Sequence, residues 1–417
     1  MFMLVKDVSL LQSGQLLKGR DILIQGNRIA RIGRDLKDEP GEEQLDGRGK
    51  LAIPGLVNAH THLAMTLFRG YADDMALMPW LQEKIWPLEA RLTAEDIHWG
   101  VKLGCLEQIR FGITCFNDMY YFMDETARAT KQMGLRASLS GVVFDSRPEF
   151  KAEAESFIKK WKGDELIVPA VGPHAIYTCS EETLGWARDT AEKNDIKIHI
   201  HLSETRGEVE DSLKQHGKSP VEYLDSLGLL SSRLYAAHCV WLSEKDIELL
   251  ARCKVNVVHC PVSNLKLAAG IAPVSQLLEA GVNVCLGTDG ASSNNNLDLF
   301  EEMKFAAIVQ KNACSRPEAL KAADIWKIAT ENGYRATGLS LGLTDGSLAD
   351  LSLIDLRKPW FMPKTNILSH LAYSMAGGVD TTIVNGKILM REGIIPGEAA
   401  IMDEAQKRFE RLVSQAD

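Results

Sequence analysis

Eight apolar, β-branched stretches recur through the middle of the chain between long helical patterns, and most of them end on a histidine or a carboxylate. They are GLVNAH ending at His60, ITCFND near residue 115, ASLSGVV near 140, LIVPAVGPH ending at His174, KIHIH ending at His201, LYAAH ending at His238, VNVVH ending at His259 and VNVCLGTD ending at Asp289. Apolar runs alternating with helices signal βα units and a parallel sheet. Eight such units close into a (β/α)8 barrel of the TIM type. The C-terminal strand ends of that barrel form one mouth, so polar residues from distant segments converge there.

The two chain ends read differently. DILIQGNRIARIG places Gly26-Asn27 between two short strands, and TTIVNGKILMREG places Asn385-Gly386 likewise, both pairs suited to tight hairpins. ADLSLIDL at 349–356 adds one more strand-like segment. Neither end has enough strands for a stable sheet alone, so a small β-sandwich-like domain built from both ends is expected. The expected division is 1–56 and 346–417 for that domain, with the barrel at 57–345 between them. Ile401, Ala405, Phe409, Leu412 and Val413 share one face of a final helix, which is expected to dock.

Composition narrows the function. Lys plus Arg number 47 against 56 for Asp plus Glu, a net charge of −9 that argues against a nucleic acid partner. No apolar run approaches the roughly 18 residues of a membrane helix, and MFMLVKDVSLL lacks the features of a signal peptide, so a cytoplasmic enzyme with no membrane partner is expected. Eight cysteines without a Cys-x-x-Cys pair read as reduced, mostly buried thiols. A glycine-rich phosphate loop is absent, as is the His-x-Glu with Pro-Cys-x-x-Cys of cytidine-deaminase zinc sites.

The strand-end residues suggest a metal. His60 and His62 lie two apart in extended chain, so both imidazoles reach the same side and one ion. In KIHIH, His201 is nearer the mouth, whereas His199 reads as a buried, hydrogen-bonded barrel residue. Asp289 ends the eighth strand, which adjoins the first when the barrel closes and brings the carboxylate across from the histidine pair. His60, His62, His201 and Asp289 thus form a nitrogen-rich set suited to one divalent ion, zinc first, with iron or manganese able to share the ligands. Glu204, three residues past His201, is placed to move a proton of a metal-held water. His238 is placed to orient that water and stabilise charge on the attacked carbon. His259, beside Cys260-Pro261, is left out of the site.

Taken together, PGLVNAHTH at 54–62, HLSE at 201–204, AAHCV at 236–240, SNLKLAAGIAPV at 263–274 and LGTDGASSNN at 286–295 resemble the amidohydrolase superfamily, and GSLADLSLIDL with VNGKI extends the likeness into the C-terminal β-structure. Within it the chain is most similar to the 5′-methylthioadenosine and S-adenosylhomocysteine deaminases, mononuclear metal enzymes that are often multimers. The absence of a lysine on the relevant barrel strands agrees with one ion rather than a carbamylated-lysine pair. The resemblance implies four substrate contacts: Glu89 for the ribose hydroxyls, His174 for the purine nucleoside, Trp80 beside the sugar or sulfur substituent, and Arg147 near the substrate tail. Ser140 stands where the family often has a second arginine.

The reaction implied is hydrolytic deamination of adenine nucleosides (5′-methylthioadenosine, S-adenosylhomocysteine, adenosine or 5′-deoxyadenosine) to inosine-type products and ammonia. Glu204 would carry the water's proton to ring N1 while Asp289 and His238 stabilise the intermediate. Another superfamily hydrolase acting on guanine, cytosine or triazine rings is the alternative, and Glu89 argues against it because a bare heterocycle has no use for a ribose-binding carboxylate. A non-catalytic scaffold is the remote alternative, disfavoured because the ligand positions and Glu204 are all present.

Overall fold

A computed structural model describes residues 2–12, 15–37 and 43–414. Five strands open the chain: β1 (Phe2–Gln12), β2 (Gln15–Gln25), β3 (Arg28–Gly33), β4 (Glu43–Asp46) and β5 (Lys50–Pro54). Eight barrel strands follow: β6 (Leu56–Thr61), β7 (Ile113–Tyr120), β8 (Arg136–Val143), β9 (Ile167–Pro173), β10 (Lys197–Leu202), β11 (Leu234–His238), β12 (Asn256–His259) and β13 (Asn283–Leu286). Then come β14 (Leu351–Asp355), β15 (Thr381–Val384) and β16 (Lys387–Met390).

All eight expected barrel strands are present, paired in parallel and in sequence order from β6 to β13. Every residue of β6, β7 and β11 is buried, because helices cover the outside while side chains fill the inside. The ring closes where β13 runs into β6. Asp289 N donates to the His60 carbonyl at 3.0 Å, and Asn58 and Thr288 exchange two bonds at 2.7 and 3.0 Å. Gly287 permits that approach, since a Cβ there would lie 2.8 Å from the His60 Cβ. The chain therefore forms a (β/α)8 barrel with a β-rich domain from both termini.

That domain is one eight-stranded sheet in the order β16-β15-β14-β5-β1-β2-β3, with β4 alongside β1. Its seam is the antiparallel pair β5–β14, running from Lys50 opposite Asp355 to Pro54 opposite Leu351. Val5, Ile22, Ile24, Ile29, Leu351 and Ile383 fill its core. The two hairpins turn where expected, at Gly26-Asn27 and Asn385-Gly386, and the turns abut: a Cβ on Gly386 would lie 2.0 Å from the Gly26 carbonyl oxygen. Asn385 and Gly386 both have positive φ, at 52° and 72°, as a type I′ turn requires.

The final helix, Glu398–Ser414, buries Ile401, Ala405 and Leu412. It docks beside the helix Ala94–Arg110, where Arg411 pairs with Asp96 and Phe409 meets Tyr71 edge-on at 6.4 Å. No helix among the described residues is long and apolar enough to cross a membrane. All eight cysteines are free, six of them buried and Cys253 and Cys314 half-buried.

Candidate active site

The residues expected at the strand ends come together at the barrel mouth. The His62 Nδ1 donates to the Met119 carbonyl at 2.6 Å, and the His201 Nδ1 donates to the His174 carbonyl at 2.8 Å. A carbonyl oxygen only accepts, so in each neutral ring the proton sits on Nδ1 and leaves Nε2 bare. Those two bare nitrogens face each other at 3.2 Å. His60 shares a proton between its Nδ1 and His199 Nε2 at 2.8 Å, while its Nε2 is buried without a hydrogen-bond partner. The His60 and His62 Nε2 atoms lie 3.4 and 3.3 Å from Asp289 Oδ1.

Burial opposes protonation of the His60 and His201 rings. It pushes His60 down to about 4 and His201 well below the ordinary imidazole range. Burial also pushes Asp289 up, but the histidines around it outweigh that and hold the carboxylate well below its ordinary value. Lone pairs that converge with no proton between them repel unless a cation sits among them. This donor set of nitrogens with one carboxylate oxygen fits a divalent metal, and the ligand atoms of His60, His62 and His201 all lie within 4.8 Å of one another. The ligand atoms of His60, His238 and Asp289 form a second group of the same span.

Side chains that the strand-end pattern did not reveal hold these groups in place. The Ser263 and Ser293 hydroxyls donate to Asp289 Oδ2 at 2.6 and 3.0 Å, and Gly290 N donates to Oδ1 at 2.8 Å. His238 Nδ1 donates to Asn264 Oδ1 at 2.8 Å and lies 3.8 Å from Glu204 Oε1. Burial alone would lower the His238 pKa, but Glu204, Asp289 and the Asn264 bond raise it above the ordinary value. Burial raises Glu204. The Glu208 carboxylate accepts from the backbone N–H groups of Ser203 and Glu204, each at 2.8 Å, and so fixes the turn that carries Glu204. Serines and an asparagine within SNLKL and DGASSNN were the available sequence signal, since both segments follow barrel strands directly.

Of the four residues expected at the substrate, three line the chamber above this cluster, a cavity of about 80 Å³. Trp80 lies on the wide helical turn Trp80–Ile85, and its Nε1 donates to the Ala72 carbonyl at 3.2 Å. His174 bonds Thr178 at 3.0 Å, and burial pushes it down to about 3. Glu89 accepts from the hydroxyls of Tyr120 at 2.7 Å and Tyr121 at 3.3 Å. Arg147 is not brought into the chamber. It is exposed, pairs with Glu149 at 2.6 Å, stacks over Phe150, and lines an adjoining cavity of about 850 Å³. Loop direction beyond Phe144, which strand periodicity does not encode, decides this. His259 is buried with neither ring nitrogen bonded and lies outside the chamber lining.

Known proteins resemble this chain in sequence and in fold. The sequence profile of the amidohydrolase family matches residues 51–389. A 5′-deoxyadenosine deaminase of Methanothrix thermoacetophila is 64% identical over 413 residues, covering 99% of this chain and 100% of that protein. A 5-methylthioadenosine/S-adenosylhomocysteine deaminase of Pelotomaculum thermopropionicum is 47% identical over 409 residues, covering 95% of this chain and 94% of that one. The crystal structure of an adenosine deaminase from Xanthomonas campestris with bound zinc superposes with a TM-score of 0.95 at 36% identity, covering 99% of this chain and 98% of that one. With its barrel, its convergent histidines and these likenesses, the chain belongs to the amidohydrolase family.

Proposed function

We propose that this chain is a metal-dependent hydrolase that replaces the exocyclic amine of an adenine nucleoside with oxygen, releasing ammonia and an inosine-type product. The observation that carries the reading is the convergence of the His60, His62 and His201 ring nitrogens, two of them beside Asp289, next to Glu204 and His238. His60, His62, His201 and Asp289 would hold one ion per subunit, and their three-nitrogen, one-oxygen donor set favours zinc. When bound, such an ion lowers the pKa of its water toward about 7.

Glu204 takes the attacking water's proton and delivers it to ring N1 as the oxygen adds to C6. Its burial raises its pKa, which suits a carboxylate that must both accept and return a proton. His238, raised by its carboxylate neighbours, supports the negative charge that develops on the added oxygen. Asp289 then helps pass a proton to the departing amine. His174 and Trp80 flank the ring and sugar, and Glu89 accepts from the sugar hydroxyls.

The chamber lining includes no lysine or arginine, whereas Leu77, Trp80, Leu81 and Leu267 make part of it apolar. An apolar 5′ end therefore suits it better than a charged tail, which favours 5′-deoxyadenosine and 5′-methylthioadenosine over S-adenosylhomocysteine. Only a long 5′ substituent would reach Arg147.

The test is to follow loss of adenine absorbance and ammonia release by zinc-loaded protein on these three nucleosides and adenosine, with and without a chelator. We expect turnover that the chelator abolishes, highest on the apolar pair. Glu204→Gln should lower kcat by about 10²- to 10⁴-fold while retaining zinc. Loaded, folded protein that releases no ammonia from any of the four would overturn the assignment.

A further inference from the structure

Glu89 stands in the wall common to the chamber and the larger adjoining cavity. Each of its oxygens already accepts one hydrogen bond, Oε1 from Tyr120 and Oε2 from Tyr121, and both donors are neutral phenols. A carboxylate offers about two acceptor sites per oxygen. One site on each oxygen therefore remains for a ligand, and two parallel acceptors match a pair of adjacent hydroxyls.

Convergence of two consecutive residues on one carboxylate needs explaining, because successive side chains of a strand point to opposite faces. Here β7 ends at Tyr120, so Tyr121 lies past the strand and outside its alternation, and both hydroxyls reach the same carboxylate. Packing holds them there: the two rings lie 4.9 Å apart, and Tyr121 also packs against Phe144 and Phe150 at 6.3 and 5.8 Å.

We propose that Tyr120 and Tyr121 are positioning residues that anchor both oxygens of Glu89 and thereby make the site select nucleosides carrying both the 2′ and 3′ hydroxyls. This rests on the deaminase reading above. A carboxylate free to rotate would still accept from one hydroxyl, but it would lose the paired geometry that separates a vicinal diol from a single alcohol.

The experiment compares zinc-loaded wild type, Tyr120→Phe, Tyr121→Phe, Glu89→Gln and the Tyr120→Phe/Glu89→Gln double variant on 5′-deoxyadenosine and on its 2′-deoxy analogue. Each tyrosine variant is expected to raise KM for the diol substrate about tenfold, the scale of one hydrogen bond to a charged group, with kcat little changed. KM for the 2′-deoxy analogue should move far less, and Tyr120→Phe should add nothing once Glu89 is replaced. Equal losses on both nucleosides, or a fall in kcat at constant KM, would overturn the inference and leave the deaminase reading standing. Should Tyr120→Phe fail to fold, Tyr121→Phe, whose bond is the longer at 3.3 Å, carries the same comparison. Wild-type enzyme inert on both nucleosides would overturn the deaminase reading and this inference with it.

Discussion

A proton's position distinguishes a metal site from a cluster of hydrogen-bonded histidines. Because backbone carbonyls claim the Nδ1 protons of His62 and His201, their Nε2 atoms meet at 3.2 Å as two acceptors. Strain marks residues around them: Ser203, His238 and Asp289 adopt positive φ values of 52°, 73° and 62°, a conformation that costs a non-glycine residue about 1–3 kcal/mol. Glu208 holds the strained turn at Ser203 by capping the Ser203 and Glu204 amides, yet burial pushes its own pKa up to about 7 from an ordinary 4.5. A carboxyl with a raised folded-state pKa contributes stability that is full below about 4.5 and is lost as pH rises through about 7. Glu208→Gln removes this dependence. Urea unfolding from about pH 4 to about pH 8 should show the variant gaining on wild type by about 3 kcal/mol as pH rises. A gap that does not move with pH would refute the assignment.

Elements set the distances between these residues. Parallel pairing puts the C-terminal ends of β6, β10 and β13 on one rim, and that much follows from the alternating pattern of the chain. Strand-end position likewise anticipated His60, His62, His201, His238, Glu204 and Asp289, since periodicity of two decides which side a residue faces. It did not anticipate Tyr120 and Tyr121, whose hydroxyls both reach Glu89 where β7 ends at Tyr120. Closure at β13–β6 depends on Gly287, where a Cβ would lie 2.8 Å from His60 Cβ and 2.9 Å from both His60 N and Val258 Cγ1. Gly287→Ala should therefore push β13 outward, lower stability by about 1–3 kcal/mol, and weaken zinc affinity by about tenfold or more as Asp289 leaves the histidines. Thermal melts and zinc titration together check this, and unchanged zinc affinity would show that closure does not place Asp289.

At the scale of the molecule, one buried ion pair joins the barrel to the terminal β-domain. Arg136 at the start of β8 donates through Nε to Asp350 at 2.6 Å, through Nη1 to the Glu165 carbonyl at 2.8 Å and through Nη2 to Asn385 Oδ1 at 2.7 Å. Burial raises the Asp350 pKa more than Arg136 lowers it, so desolvation exceeds the attraction. The pair therefore sets how the two parts meet more than it stabilises them. Arg136→Met leaves an uncompensated buried carboxylate and should cost about 3–5 kcal/mol, whereas Arg136→Met with Asp350→Leu should recover most of that loss in urea unfolding. A double variant no more stable than the single would contradict this account.

The amino-acid order by itself determined the eight βα units, the shared domain of both termini and the strands that supply His60, His62, His201 and Asp289. Those features follow from local periodicity and from parallel pairing, which act along the chain. Tertiary structure alone decided that Arg147 lies outside the chamber, that Ser263, Ser293 and Glu208 hold the acidic groups, and that two tyrosines bind one carboxylate. Loop paths, left-handed residues and shared protons depend on which distant atoms compete for the same space and the same hydrogen, and no run of neighbouring residues encodes that competition.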